Sequence, residues 1–336
     1  MKAVGYQKNL SINLPKALED VELPAPVHGS RDLLVRVHAV SVNPVDTKVR
    51  AGSAPVAGEV KVLGWDAVGV VEAVGMEATG FVVGDRVWYA GSIKRPGANS
   101  ELHAVDARIV SKAPKSLSDA QAAALPLAAI TAWELLFDRL RIVQGDGEGK
   151  TLMVVGGAGG VGSILIQLAR QLTKLRVIAT ASRLESREWC LELGAHVVIN
   201  HSKPLSQALR SAGIEQVDYV ASLTHTSTHY QEIIQSLKPQ GALAVIDDME
   251  GLDPIALKNK SLSLHWELMF TRSMFETPDM QEQGVLLARV ADLVDSGRVK
   301  TTANANFGRI NAENLTSAHA LIESGKAVGK IVLEGF

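Results

Sequence analysis

The sequence predicts an α/β chain in which a doubly wound parallel sheet is inserted into a mostly antiparallel barrel. Three observations predict it. A short apolar run at 152–155 feeds a glycine cluster, which opens into an amphipathic segment at 164–172. Strand-like and helix-like segments then alternate through residue 246, a pattern that argues a parallel sheet covered by helices. Residues 33–110 follow another grammar, short β-patterned runs divided by glycine turns, which suggests a compact antiparallel barrel.

The elements follow in order. Strands are expected at 33–42, 67–74, 82–89 and 103–110, with Gly84-Asp85 as punctuation. The alanine-rich stretch 114–129, carrying Pro126, reads as a bridge into a helix at 131–140. The alternating region predicts strands at 152–155, 176–182, 196–201, 217–223 and 242–246. Helices are expected between them at 164–172, 185–193, 205–212 and 228–237. Residues 261–270 alternate apolar and polar more strictly than any other segment and should form the sheet's edge. The tail predicts a strand at 301–307, a helix at 312–324 and a strand at 330–333, returning to the first domain. The domains are therefore 1–124 with 271–336, and 125–270.

Composition narrows the class. A chain of 336 residues exceeds what one hydrophobic core usually serves, so two domains are expected. A net charge of −2 with no basic run leaves no footprint for nucleic acid. No apolar stretch reads as a membrane span, and the N-terminus lacks a signal peptide's apolar core. The single cysteine, Cys190, excludes an internal disulfide and fits a reducing cytoplasm. It reads as a small buried apolar residue within a helix.

The glycine cluster carries the first functional signal. Gly157, Gly159 and Gly162 satisfy G-x-G-x-x-G, with Ala158, Gly160 and Val161 between them. Between a strand and a helix, this pattern lets a pyrophosphate approach the backbone and meet free N–H groups at a helix start. A site for NAD usually places a carboxylate about 20 positions on, against the ribose 2′-hydroxyl. Here Ser182 and Arg183 stand at that place, with Arg187 one turn further. A guanidinium suits a 2′-phosphate, which favours NADPH. Leu223, Thr224, Ile246 and Asp247 end later strands and should line the same crevice.

Further segments carry a resemblance that runs essentially end to end. They are Ser41-Val-Asn-Pro-Val-Asp46, Gly64-Trp-Asp-Ala-Val-Gly69, Val83-Gly-Asp-Arg-Val87, Leu125-Pro-Leu, Thr131-Ala-Trp, the glycine loop 156–162, Leu193-Gly-Ala and Gly329-Lys-Ile-Val-Leu333. The chain resembles the medium-chain dehydrogenase/reductases of the quinone oxidoreductase branch, and within it the zinc-type alcohol dehydrogenase-like proteins. The resemblance implies a GroES-like catalytic barrel, a Rossmann domain and an active site in the cleft between them. It also implies NADPH-dependent reduction of quinones, enones or related carbonyls. A zinc alcohol dehydrogenase and a non-catalytic NADPH-binding regulator are the alternatives.

Metal needs its own test. Asn43 stands where the family's zinc enzymes have a cysteine ligand, and Trp65 where they have a histidine. Neither is a practical zinc ligand, and no cysteines lie between Trp88 and Leu102 for a structural zinc. No bound zinc is expected. His225 and His229 have the i, i+4 spacing of half a metal site, but their hydroxyl-rich surroundings read as helix capping. By resemblance, Asn43, Asp46, Trp65 and Thr131 are the candidate catalytic residues, and Asn43 and Thr131 also face the nicotinamide. The Asn43 amide and the Trp65 indole can donate hydrogen bonds. Asp46 doubles as a turn residue after Pro44, and Lys48 and Arg50 read as solvent-facing. Lys330 either reaches a coenzyme phosphate or caps the closing strand. Residues 269–275 form a candidate apolar substrate wall. The edge at 261–270 predicts a homodimer, since joined edges make dimers in the family.

Overall fold

The computed structural model describes residues 1–336 and divides into two compact units, Met1–Ile130 with Phe270–Phe336, and Thr131–Met269. Each has its own sheets and core.

The second unit is built on a six-stranded, all-parallel sheet. Its spatial order is Val197–Ile199, Arg176–Thr180, Thr151–Val155, Val217–Ser222, Leu237–Val245 and Ser263–Trp266. In chain order this is 3-2-1-4-5-6, so the direction of strand addition reverses beside Thr151–Val155. That reversal is the switch point of a doubly wound sheet. Met153, Val155, Ile178, Val220, Leu243 and Val245 pack on one face against Leu205, Leu209, Tyr230 and Ile233 from covering helices. The glycine-loop helix, Gly160–Leu172, begins four residues earlier than its hydrophobic pattern suggests, inside the glycine cluster itself. The alternating segment 261–270 does give the sheet edge, but only Ser263–Trp266 is strand. The apolar edge residues Trp266 and Leu268 are 49% and 51% exposed.

The first unit is organised by one long strand, Asp32–Val42. It pairs with Ala67–Val74 along one side. Along the other it pairs with Leu102–Asp106 over its first half and Lys330–Glu334 over its last residues. The C-terminal strand therefore begins its run beside Val42, which places Lys330 next to Asn43, and ends beside Ala39. A separate three-stranded sheet of Glu19–Glu22, Lys2–Tyr6 and Lys61–Val62 completes the unit; the sequence pattern does not announce these short strands.

Several expectations change. The stretch 114–129 is not a linker: it holds the helices Asp119–Ala123 and Pro126–Trp133, and a π-helical turn follows at Glu134–Arg139. Alanine favours helix, and Pro126 is tolerated because it opens the second helix, where its missing N–H costs nothing. Consequently Asp119–Arg139 has the length and apolarity of a membrane span, which the sequence reading overlooked. Its apolar window is 89% buried inside the fold, the behaviour of a core helix. The strand expected at 82–89 begins only at Arg86, because residues 82–85 form a tight turn that leaves Val82 and Val83 exposed. The strand expected at 103–110 is split by the 3-10 turn Ala107–Ile109.

The second unit buries two carboxyl groups beside each other. Glu267 follows the edge strand, with its side chain fully inaccessible, and accepts from Arg139 at 2.6 Å. Burial, and then the charge of buried Glu134, push its pKa up to about 9. The folded chain thus holds a proton there that the unfolded chain releases near pH 4.5, so stability falls as pH rises from about 4.5 to 9. Glu134→Gln removes the like charge while keeping the Arg139 pair. We expect its thermal midpoint to match wild type at pH 5 and to exceed it by a few degrees at pH 9, measured by circular dichroism melts.

Candidate functional site

The first unit gathers its expected site residues around a buried ion pair. Asn43 is the N-cap of the helix Pro44–Gly52, and Asp46 is its third residue. The Asp46 carboxylate accepts the Asn43 backbone N–H at 2.7 Å and the Gly64 N–H at 3.0 Å. Asp46 is thus neither exposed nor a mere turn residue: it is 1% exposed and fixes the start of a helix that the sequence pattern did not reveal. Burial outweighs those two hydrogen bonds and pushes its pKa up to about 7.

Asp66 lies at the centre. One carboxylate oxygen accepts Ser41 Oγ at 2.6 Å, Asn43 Nδ2 at 2.9 Å and Lys330 Nζ at 2.9 Å. The other accepts the Leu127 N–H at 2.7 Å, in the first turn of Pro126–Trp133, where a negative charge meets the positive end of the helix. The Lys330 ammonium is completed by Asn43 Oδ1 and by the Val42 carbonyl at 3.2 Å. Its three donors thus have three acceptors, two at the end of the strand Asp32–Val42 and one just ahead of Ala67–Val74. Lys330 is 3% exposed and Asp66 is fully buried.

This network revises several expectations. The Asn43 amide is held in orientation, with one N–H to Asp66 and its oxygen to Lys330, so at most one of its two N–H donors is left for a substrate. Lys330 reaches no phosphate; its charge is spent internally. Trp65 is a core residue, 1% exposed, donating its indole N–H to the Ser92 carbonyl at 3.1 Å and meeting Phe270 edge-on at 6.0 Å. Arg50 does not face solvent: it is buried and pairs with Glu323. Met269 and Phe270 are buried, whereas Phe275 is 71% exposed, so 269–275 is not one continuous wall. Thr131, buried, stands in the latter half of Pro126–Trp133, not at a helix start. The sequence reading passed over Asp66 and Ser41; the only available signal was a carboxylate within Gly64-Trp-Asp, ahead of an apolar strand.

A metal ion does not fit this centre. Asn43 and Asp66 offer oxygens, but the Lys330 ammonium already uses both, and Trp65 offers no ligand atom. No group of three or more His, Cys, Asp or Glu side chains elsewhere has the arrangement of a metal site.

A dinucleotide does fit the second unit. The loop after Thr151–Val155 turns at Gly156, whose φ of +83° suits glycine. A Cβ at Gly157 would come within 2.8 Å of the Ala179 Cβ and 3.2 Å of the Cys190 sulfur, so only glycine lets strand and helix approach. A Cβ at Gly162 would meet the Gly156 carbonyl oxygen at 2.5 Å. Gly159 is the helix N-cap and supplies no side-chain acceptor, which leaves the first-turn N–H groups of Gly160–Leu172 aimed at an anion. Ala158 is buried, and Gly160 and Val161 are half-buried in that turn. Cys190 is inert, its thiol pushed up to about 12 by burial.

The other expected coenzyme contacts divide. Leu223 and Thr224 come against the loop: a Cβ on Gly156 would lie 2.8 Å from the Thr224 methyl and 3.7 Å from the Leu223 Cβ. Ser182 and Arg183 are exposed where Arg176–Thr180 gives way to the helix Leu184–Glu192, and no carboxylate stands between them and Thr180. Arg187 instead donates to the Val198 carbonyl at 2.8 Å, which ties the helix to the neighbouring strand. Ile246 is half-buried at the end of its strand. Asp247 is spent capping the helix Thr226–Ser236: it accepts the Thr226 N–H at 2.9 Å and the Thr226 hydroxyl.

The buried pair sets a stability test. Lys330→Met leaves the Asp66 carboxylate buried without its cation and should cost about 3–5 kcal/mol in urea unfolding. Adding Asp66→Asn should recover part of that loss, because the stranded charge is then gone.

Comparison with known proteins agrees with this architecture. The family model for an alcohol dehydrogenase GroES-like domain matches residues 29–115, and that for a zinc-binding dehydrogenase matches residues 193–333. A zinc-type alcohol dehydrogenase-like protein of Staphylococcus aureus is 39% identical over 99% of both chains. A 2-methylene-furan-3-one reductase of Solanum lycopersicum is 30% identical over 99% of this chain and 79% of its own. Among solved structures, a zinc-dependent alcohol dehydrogenase candidate from Rhizobium etli CFN 42 is 54% identical with a TM-score of 0.96, covering 100% of this chain and 98% of its own. The mycobacterial protein Rv1454c, solved with NADPH, is 28% identical with a TM-score of 0.84, covering 99% of both. With a GroES-like unit, a Rossmann sheet and this end-to-end similarity, the chain belongs to the medium-chain dehydrogenase/reductase superfamily, alongside the zinc-type alcohol dehydrogenase-like proteins.

Proposed function

We propose that this oxidoreductase uses NADPH to reduce quinones or α,β-unsaturated carbonyls, without a bound metal. The observation that carries the reading is the Lys330 ammonium, held by Asp66 and Asn43 where a Lewis acid would need those same oxygens. The exposed Ser182–Arg183 pair, at the place where an NAD site usually carries a carboxylate, supports NADPH over NADH. The relative named for 2-methylene-furan-3-one reduction supports a conjugated carbonyl as acceptor.

Bound NADPH supplies a hydride to an electrophilic carbon, and negative charge then grows on the acceptor's carbonyl oxygen. A metal would stabilise that charge directly. With Trp65 and Lys330 committed to internal partners, neither is assigned that task, and Asn43 keeps at most one amide N–H for it. A conjugated acceptor spreads the charge over several atoms and needs less help than a simple ketone. Other donors or water then complete the stabilisation. The first-turn N–H groups of Gly160–Leu172 would hold the pyrophosphate, Arg183 would bind the 2′-phosphate, and Thr131 would contact the nicotinamide. The exposed apolar residues Trp266 and Leu268 beside the open edge Ser263–Trp266 support a two-fold dimer joined along that edge.

The enzyme assay is NADPH oxidation over a panel of quinones, enones and simple aldehydes, with zinc measured in the same preparation. Turnover of conjugated acceptors by zinc-free protein is expected; activity that tracks bound zinc, or none on any acceptor, would sink the reading. Arg183→Ala should weaken NADPH by about 10–100-fold, the loss of a charge-assisted bond, and leave NADH nearly unchanged. Light scattering should give a dimer for wild type, and Trp266→Arg should shift it toward monomer. A wild-type monomer at micromolar concentration would exclude the edge-to-edge pairing.

A further inference from the structure

The coenzyme reading leaves three histidines of the second unit without a role. His201 follows the strand Val197–Ile199, while His225 and His229 lie at the start of Thr226–Ser236, just after Val217–Ser222. All stand at the carboxyl ends of parallel strands, the end that also carries the glycine loop. His201 and His229 approach with ring centroids 6.2 Å apart. His201 Nδ1 is 3.1 Å from Thr180 Oγ1, and that hydroxyl accepts the Gly156 N–H at 3.1 Å. One threonine thus links the histidines to the loop and to the strand that leads into Ser182–Arg183. His225 sits in the left-handed region, φ +52°, with Nδ1 2.8 Å from Thr224 Oγ1.

The charges around these rings decide their behaviour. Burial, then the charges of His229 and His225, hold His201 below the usual histidine range. Burial and His225 do the same for His229, against a weaker opposing pull from Glu232. The nearby carboxylates are occupied: Asp247 caps Thr226, and Glu232 accepts the Ser206 N–H at 2.9 Å. Asp248 and Lys203 are exposed, and Arg187 is tied to Val198. His201 and His229 are therefore crowded together and held toward the neutral form. An arriving dianion removes the repulsion between them and favours the imidazolium form.

We infer that His201, His225 and His229 form a proton-linked subsite for a phosphomonoester, the 2′-phosphate of the coenzyme, beside Arg183. The inference rests on the NADPH reading and adds a consequence to it. NADPH binding takes up protons and NADH binding does not. NADPH affinity then falls as pH rises from about 7 to 8, where the phosphate is already largely dianionic while imidazoles lose protons. Discrimination between the two coenzymes is accordingly greater at about pH 7 than at about pH 8.

Isothermal titration calorimetry of the full chain tests this, in two buffers of unlike ionisation heat at pH 7. Uptake of roughly half to one proton per NADPH is expected, with none for NADH. Adenosine 2′,5′-bisphosphate should reproduce the uptake and adenosine 5′-monophosphate should not, which separates the 2′-phosphate from the pyrophosphate as its source. His201→Gln/His229→Gln should abolish most of the uptake and flatten the pH dependence of NADPH binding, with NADH affinity unchanged. His225→Asn, a residue type that tolerates the left-handed region, gives a second variant if the first folds poorly, and it should reduce the uptake. Preference for NADPH without proton uptake, or uptake that persists in both variants, would overturn the histidine subsite and leave the coenzyme reading standing. Equal binding of NADPH and NADH would overturn both.

Discussion

The buried pair of Asp66 and Lys330 is the constraint around which the first unit is arranged. Two opposite charges, almost wholly removed from water, are tolerable only when every lone pair and proton is matched. Matching them draws in the end of the strand Asp32–Val42, the N-cap of Pro44–Gly52, the first turn of Pro126–Trp133 and the first residue of Lys330–Glu334. Asp66 thus meets a cation 264 residues further along the chain, and that cation in turn meets Val42 from 288 residues away. A single group in this network cannot change without stranding another. That is why the Asn43 amide is fixed in orientation, with at most one N–H left over.

The second unit depends on a different economy, that of missing side chains. Gly157 and Gly162 permit backbone and helix to come closer than any Cβ allows, and Gly156 takes a turn that other residues resist. The result is a helix start with donors but no side-chain acceptor of its own. Around it the neighbouring strand ends contribute hydroxyls and imidazoles but few uncommitted carboxylates, because Asp247 and Glu232 serve the backbone. Such a surface favours anions by local geometry, although the net charge of the chain is −2.

Much of this was legible in the residues. The glycine spacing and the alternation of strand and helix patterns located the parallel sheet and its edge, because local periodicity reports directly on which face is buried. Leu223 and Thr224 were placed correctly against the loop by fold geometry alone. The misses share a cause. The helix Pro44–Gly52 was hidden because its capping box, Asn43 with Asp46, also reads as turn chemistry. The helical run after Asp119 was hidden because a proline in an alanine-rich stretch resembles a linker until its position at a helix start is known.

The sequence by itself determined the two-unit plan, the glycine loop, the absence of cysteine ligands and a basic rather than acidic end to the second strand of the parallel sheet. Those properties are written in composition and short spacing. Only the tertiary structure decided what the polar residues do. It made Lys330 the partner of Asp66, where the sequence left a phosphate contact and a strand cap both open, committed Asp247 and Arg187 to the backbone, and brought His201 against His229. The physical reason is that a buried polar group takes its role from whichever partner satisfies it, and those partners lie far away along the chain.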